Sequence, residues 1–424
     1  MHDRRPAVIA RCRTTADVQA AVRLATKAGI PATVRGGGHN VAGTAVDDDT
    51  VMIDLSLMRA VSVNAGEQWA DVDGGCLLKD LDTATAEHGL ACPSGVVGHT
   101  GVAGLTLGGG YGWLTRKWGL SCDHIMSAEV VLADGSVIEA TDAEHPDLMW
   151  ALRGGEGTFG VVTRFRMRLR PVGPILYRTG LYSLDTAPAA LLAFREFTAR
   201  QSDDLRVFGS FQQAGTSAVI PSVLHGQQAL ELAVACSADN PDSVRQSREI
   251  YDAVPALATT EQTMPYARLQ AMLDASGPAG RRYYTKSCYL TDLGPQAVEE
   301  VVKAAAANPS ALSSIDVEFL RGAMVRETGG PSAFPQREAP YMLTAWASWL
   351  TPQDDATNIA WSRDTISALS SWHHQGHYGN YAPEDTATAP PADPRLARVK
   401  REYDPHHLFR GKRHSLPESA RAAS

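Results

Sequence analysis

The stretch Arg35-Gly36-Gly37-Gly38-His39-Asn40 constrains this chain most, because three adjacent glycines bring bare backbone close to something. It follows a short apolar run over 30–34 and precedes a second turn at Val41-Ala42-Gly43. With no Cβ in the way, the N–H groups of such a run can line a concave nest around an oxyanion, and diphosphate is the commonest biological ligand of that shape. His39 follows directly, a side chain able to act as nucleophile, base or covalent anchor. The same run also suits a plain turn beside a solvated histidine, so the functional reading needs support from elsewhere. A second stretch, from Gly101-Val102-Ala103-Gly104 to Gly108-Gly109-Gly110-Tyr111-Gly112, supplies it about seventy residues later. Its spacing suggests a loop followed by a packed turn on which a flat ligand could lie; the alternative is a glycine-tolerant helix packing site.

The 424 residues exceed one ordinary core, so two domains are expected. A formal charge of −8 without a long Lys/Arg run argues against a nucleic-acid partner and leaves a neutral or anionic small molecule open. The six cysteines are scattered with no Cys-x-x-Cys pair, which indicates neither a zinc site nor a disulfide framework and suits a reducing compartment. No apolar run reaches the length of a signal core or membrane span, so the expectation is a cytoplasmic protein with no membrane partner. Oligomeric state is not legible.

Residues 15–28 read as a helix with Thr14 or Thr15 as N-cap and Gly29 just past its end. Short strands are expected at 30–34, 50–55, 60–63 and 69–72, a helix at 77–88, and a hairpin around Asp134-Gly135 with strands at 129–132 and 137–140. Gly155-Glu156-Gly157-Thr158-Phe159-Gly160 matches the dinucleotide fingerprint literally, but a helical segment (146–152) precedes it and a strand follows, the reverse of what that fingerprint requires. In that strand Val161, Thr163, Phe165, Met167 and Leu169 alternate with a row of arginines, a solvated or ion-paired face. Pro171-Val172-Gly173-Pro174 is the best boundary. Beyond it, strands at 205–211, 229–236, 314–320 and 341–350 alternate with helices at 187–200, 242–253, 296–306 and 356–371, a pattern that suits a mainly antiparallel sheet with helices on one face and the other face free to roof a ligand. A last helix at about 395–403 ends at Asp404-Pro405, and Leu408-Phe409-Arg410 is expected to pack back on the first domain.

Taken together, Arg-Gly-Gly-Gly-His-Asn, Pro93-Ser94-Gly95-Val96-Val97, Gly-Gly-Gly-Tyr-Gly, Lys117-Trp118-Gly119-Leu120-Ser121-Cys122-Asp123, Phe159-Gly160-Val161-Val162, Tyr378-Gly379-Asn380-Tyr381 and Tyr403-Asp404-Pro405 with Leu408-Phe409-Arg410 resemble the FAD-binding (PCMH-type) oxidoreductases of the berberine bridge enzyme and 6-hydroxynicotine oxidase-like family. The resemblance covers essentially the whole chain and implies an α+β fold of the vanillyl-alcohol oxidase group. It divides the chain into an FAD-binding domain at 1–172, an antiparallel-sheet substrate domain at 173–390 and a C-terminal segment at 391–424 returning to the first.

The resemblance implies a bound FAD whose diphosphate lies on the turn from Gly36 to Asn40, with His39 attached covalently to the flavin 8α-methyl. A tether prevents cofactor loss, and an 8α-imidazolyl substituent raises the reduction potential. Carried over position by position, the cofactor contacts are Arg35, Gly36, Gly37, Gly38, His39, Asn40, Pro93, Ser94, Thr100, Gly101, Gly104, Gly109, Tyr111, Gly112, Asp123, Gly160, Val161, Val162 and Asn380. Some family members add a cysteinyl link eleven residues before the glycine triplet; here that position is Val97 and Cys92 lies five residues too early, so a single link is expected. Thr100 occupies the position that influences oxygen access in the family and is compatible with an oxidase. The motif Tyr378-Gly379-Asn380-Tyr381 points to Tyr381 as the base, with Tyr378 nearby. A phenol titrates near 10, so the site is expected to lower it, with Lys286 as the candidate cation. After Leu-Phe-Arg the chain reads Gly411-Lys412-Arg413-His414-Ser415, a departure from the Asn-rich close common in the family.

The implied activity is hydride transfer from an alcohol or amine carbon of a small organic substrate or specialised metabolite to FAD, with O2 as acceptor and H2O2 as by-product. Two rivals are a flavin-containing cyclase or isomerase without net oxidation and a non-catalytic flavin-binding protein. The histidines at 373, 374, 377, 406 and 407 have no carboxylate at ligand spacing, so no metal is expected.

Overall fold

Chain order and side-chain parity together put two sheets around one contact zone. The structure, a computed structural model, describes residues 2–383 and 393–410. A parallel three-stranded sheet (Val8–Arg11, Val51–Asp54, Ala32–Arg35) opens the chain. Helix Thr15–Ala28 packs on it through Val18, Ala21, Val22 and Ala25. Its limits are written locally: Thr14 and Asp17 form a capping box, and Gly29 closes it at φ 64°, a conformation that costs any residue with a Cβ. Beside it lies a five-stranded antiparallel sheet, ordered Val61–Asn64, Trp69–Asp73, Val161–Arg168, Ile125–Val131, Val137–Ala140. The arginine row is ion-paired: Arg164 meets Glu129 at 2.7 Å and Arg166 meets Asp71 at 2.8 Å. The second glycine-rich stretch corrects the loop expectation, because Val102–Leu107 is a helix that starts at Gly101.

The larger sheet has eight strands, in the order Ala258–Met264, Ile175–Ser183, Gln228–Ser237, Arg206–Gln213, Ser314–Phe319, Tyr341–Trp349, Arg282–Leu290, His373–His374. Every pairing in it is antiparallel. Leu230, Leu232, Val234, Val207, Phe211, Ile315, Val317, Leu343 and Ala345 point to one face, where they share a core with helices Ala187–Thr198, Pro295–Ala306 and Asp355–Ala368. Helix Pro241–Ala253 adds Ile250 to the same core. Alternate residues necessarily face the other way, and that second face turns toward the first region: Tyr289 and Met342 belong to its core. Strands Ile175–Ser183, Ala258–Met264 and Arg282–Leu290 were not anticipated. Ala258–Met264 is an edge strand whose sequence, ATTEQTM, carries no apolar alternation.

After helix Pro394–Tyr403 the chain returns to the parallel sheet, where Ala32 N–H donates to Leu408 O at 2.7 Å and Arg410 N–H to Ala32 O at 3.0 Å. Lys400 and Asp404 hold this return from within: Lys400 Nζ donates to Asp404, Thr158 O and Phe409 O, and Asp404 accepts from the N–H groups of Leu408 and Phe409. The stretch Gly411-Lys412-Arg413-His414-Ser415 lies outside the described residues.

Candidate functional site

The two glycine stretches meet. A Cβ on Gly37 would stand 2.3 Å from Gly101 N, and a Cβ on Gly101 would stand 2.3 Å from Gly37 N, so neither side chain is possible while the loops touch. Gly38 turns the chain at φ 65°. Among the described residues the backbone N–H groups of Gly36, Gly37, Gly38, His39 and Asn40 have no acceptor in the protein. Five consecutive donors without partners in a tight turn fit a diphosphate nest. Asn40 shapes that turn, its Oδ1 accepting from Ala42 N–H at 2.8 Å, and Arg35 is held by Asp54 at 3.2 Å. His39 is accessible, with its ring 4.9 Å from that of His99. Surrounding protein and then His99 keep its pKa below the ordinary imidazole value, favouring the neutral, nucleophilic form. Gly104 faces open space, with nothing within 4 Å of a Cβ placed there. Thr100 is half-buried between the loops, its carbonyl accepting from Leu78 N–H at 2.8 Å. Gly160, Val161 and Val162 enter their strand buried, with Gly160 against Val130 and the Val162 carbonyl against Gly74.

The other expected cofactor residues make close contacts within the protein. Gly108 sits under Asn380 and Gly109, at φ 112°, under Phe334; a Cβ on Gly112 would stand 1.7 Å from Ser94 O. The Tyr378 hydroxyl accepts from Gly110 N–H at 3.2 Å and from Asn380 Nδ2 at 2.9 Å, while the same Asn380 Nδ2 donates to Leu105 O at 3.0 Å. Tyr111 is buried beneath the Arg206 guanidinium, 4.3 Å from its ring centroid. Asp123 spends both oxygens on Arg337, and Leu120 N–H adds to one of them. Pro93 and Ser94 are buried, and Gln270 Nε2 bridges Ser94 Oγ at 2.9 Å, Gly95 O at 3.0 Å and Asp82 Oδ2 at 3.1 Å. Gly109, Tyr111, Asp123, Asn380 and, through Gln270, Ser94 thus also join the first region to the second, with Gly112 packed against Ser94.

Tyr381 is half-buried, its ring 4.6 Å from Trp346 and 4.7 Å from Tyr378, both edge to face. Lys286 does not join it. Its strand pairs Lys286 with Ala345 and Cys288 with Leu343, which places Lys286 on the helix-covered face, with the sheet between it and Tyr381. Among the described strand residues, Arg206 is the cation on the Tyr381 side. Nor is the Tyr381 phenol acidified: burial, followed by Glu318 and Tyr378, pushes its pKa well above 10, with Arg206 opposing more weakly.

Residues not singled out from the sequence are the carboxylates on that face. Glu318, ion-paired to Arg206, is pushed up to about 7, chiefly by burial and against the pull of Arg206. Asp316, accepting from Ser210 Oγ at 2.6 Å, is pushed up to about 6, again chiefly by burial. Such values suit proton transfer near neutrality. A signal was available: Ser-Ile-Asp-Val-Glu-Phe alternates polar and apolar along a central strand, placing both acids on one face. All six cysteines are buried, Cys92 in the core of the first region where burial raises its thiol pKa. Among the described residues no group of three His, Cys, Asp or Glu stands at metal-binding distance, and no helix is long and apolar enough to cross a membrane.

The FAD binding domain family matches residues 6–141, the part that carries the nest. An FAD-linked oxidoreductase of Dictyostelium discoideum is 25% identical over 425 aligned positions, covering 97% of this chain and 89% of that protein. The (R)-6-hydroxynicotine oxidase of Paenarthrobacter nicotinovorans is 42% identical over 168 residues, 40% of this chain and 37% of that one. The crystal structure of 6-hydroxy-D-nicotine oxidase from Arthrobacter nicotinovorans superposes with a TM-score of 0.84 at 25% identity, covering 98% of this chain and 93% of that one. With a nest for the cofactor, a second sheet facing it and this likeness along nearly the whole length, the chain is an FAD-dependent oxidoreductase of the PCMH-type, berberine bridge enzyme-like family, on the vanillyl-alcohol oxidase fold.

Proposed function

We propose that the protein is an oxidase that takes hydride from an alcohol or amine C–H of a small organic substrate, holds its FAD covalently through His39, and passes the electrons to O2 with release of H2O2. The observation that carries this reading is the pair Asp316 and Glu318, half-buried carboxylates with raised pKa on the sheet face that also carries Trp346 and meets Tyr381. FAD supplies the hydride acceptor. The chain does the rest: the N–H groups from Gly36 to Asn40 hold the diphosphate, and His39, kept neutral, is free to bond the ring. Asp316 or Glu318 receives the proton that the substrate heteroatom loses, a role the tyrosine with its raised pKa cannot fill as phenolate. Tyr381 acts instead as a hydrogen-bond donor that orients the substrate heteroatom.

Acid precipitation of the purified protein tests the anchor. Yellow, fluorescent flavin should stay with the pellet, and the His39→Ala variant should release it. Flavin lost from the unaltered protein would end the covalent reading.

A further inference from the structure

The ladder across the large sheet places five polar residues in one row on the face away from the helices. Glu231 pairs with Ser210, Ser210 with Asp316, Asp316 with Thr344, and Thr344 with Ser287. Glu231 and Asp316 are two strands apart, about 10 Å between backbones, and Glu318 lies two residues along from Asp316 on the same face. Three carboxylates therefore share this surface with one guanidinium, that of Arg206, among the described strand residues of the face. Arg206 is committed to Glu318. The Glu231 carboxylate receives no hydrogen bond from any described residue, and burial together with Asp316 raises its pKa. Thr344, directly opposite Asp316, is 1% exposed and its hydroxyl has no partner. A buried hydroxyl and a carboxylate left without partners in one row mark a place where a polar ligand completes the bonding. Trp346, half-buried beside them, adds an aromatic surface of the kind that attracts cations.

We infer that the substrate is an amine, recognised through its positive nitrogen by Glu231 and Asp316; the inference rests on the oxidoreductase reading above and names the substrate class for that site. The chemistry of the step separates amines from alcohols. The bound ammonium first passes its N–H proton to Asp316; the neutral amine then loses hydride to the flavin, the C–H bond breaking with its electron pair while the nitrogen lone pair closes the C=N bond, and a positive iminium remains. Water then adds to that carbon and the adduct breaks down to a carbonyl compound and an amine. Positive charge grows on nitrogen during hydride loss, and carboxylates already in place stabilise it. An alcohol must instead give up its hydroxyl proton, so negative charge grows on oxygen. One carboxylate serves that need as base, while each further carboxylate opposes the growing charge. The surplus of Glu231 over the Arg206–Glu318 pair therefore favours the nitrogen substrate.

The test uses the holoenzyme and two readouts. Anaerobic flavin bleaching is followed with N-methylbenzylamine and N-methylpyrrolidine against benzyl alcohol, cyclopentanol and glucose. Calorimetry measures binding of benzyltrimethylammonium, which reports the cation site without turnover. The amines should bleach the flavin, the quaternary cation should bind, and Glu231→Gln should weaken that binding roughly tenfold or more, with Glu231→Asp retaining most of it. Bleaching by an alcohol or sugar while no amine bleaches and no cation binds would overturn the inference and leave the oxidoreductase reading standing. Cation affinity unchanged by Glu231→Gln, or no cation binding at all, also overturns it. Cation binding that depends on Glu231 with no bleaching by any compound would support the amine site and count against the oxidase reading instead.

Discussion

At residues 36–38 the backbone N–H groups have no protein acceptor and an accessible histidine follows them, whereas at residues 108–110 three more glycines lie buried beneath Asn380, Phe334 and Ser121. The letters are identical, and the surroundings are opposite. In the first run glycine leaves donors bare and lets the turn close on Gly101. In the second it lets Phe334 and Asn380, from segments more than two hundred residues away, settle onto backbone. Missing Cβ atoms leave donors bare in one place and serve assembly in the other, and only the surrounding residues tell which.

The largest effect should come from breaking the joint. In Gly112→Ala the new methyl would lie 1.7 Å from Ser94 O, a backbone atom that cannot move without displacing Gln270 and the interface behind it. Overpacking of this severity should cost at least about 3 kcal/mol and show as lost soluble yield or a fall in Tm of many degrees. A variant that melts within a few degrees of the parent would mean the joint is soft, and the contrast between the two glycine runs would collapse.

That contrast also explains how much was legible beforehand. Helix Thr15–Ala28 was, because its cap, its apolar stripe and its closing glycine are all local. The alternation in Ser314–Phe319 and Tyr341–Trp349 announced strands, but periodicity says that two faces differ, not which of them meets a ligand. Asp316 and Glu318 therefore went unmarked. Lys286 failed for the same reason: its face depends on its pairing with Ala345, 59 residues on, and that register is set by the sheet rather than by the neighbours of Lys286 in sequence. Family motifs marked the glycine turn and Tyr381, and they marked Asp123 as well, whose pairing with Arg337 more than two hundred residues on no local pattern announces.

The support beneath the joint should show an intermediate, pH-dependent effect. Asp82 lies beneath Gln270, buried, with one oxygen lacking a partner and a pKa pushed up to about 7, chiefly by burial. The folded protein thus keeps a proton that the unfolded chain gives up near the ordinary carboxylate value of 3.8. Stability from this group falls as pH rises from about 4 to 7 and stays low above that. Asp82→Asn cannot ionise, so it should be more stable than the parent at pH 8, by an amount on the order of a few kcal/mol, with the gain shrinking toward pH 4. Denaturant unfolding at both pH values measures it, and an equal difference at pH 4 and pH 8 would show that ionisation of Asp82 is not the cause.

The smallest effect on stability belongs to a glycine with open space in front of it. Gly104 lies in helix Val102–Leu107 with open space where a Cβ would go, so Gly104→Ala meets no clash and gains helix propensity, about 0.5–1 kcal/mol in the stabilising direction. If that open space belongs to the flavin, the same methyl should lower the flavin-to-protein ratio while Tm of the flavin-free protein holds or rises. That opposition is what distinguishes it from Gly112→Ala, in which folding fails before loading can be asked. Full flavin content in Gly104→Ala would place Gly104 on ordinary surface and confine the glycine contribution to the cofactor to the turn at 36–38 and its contact with Gly101.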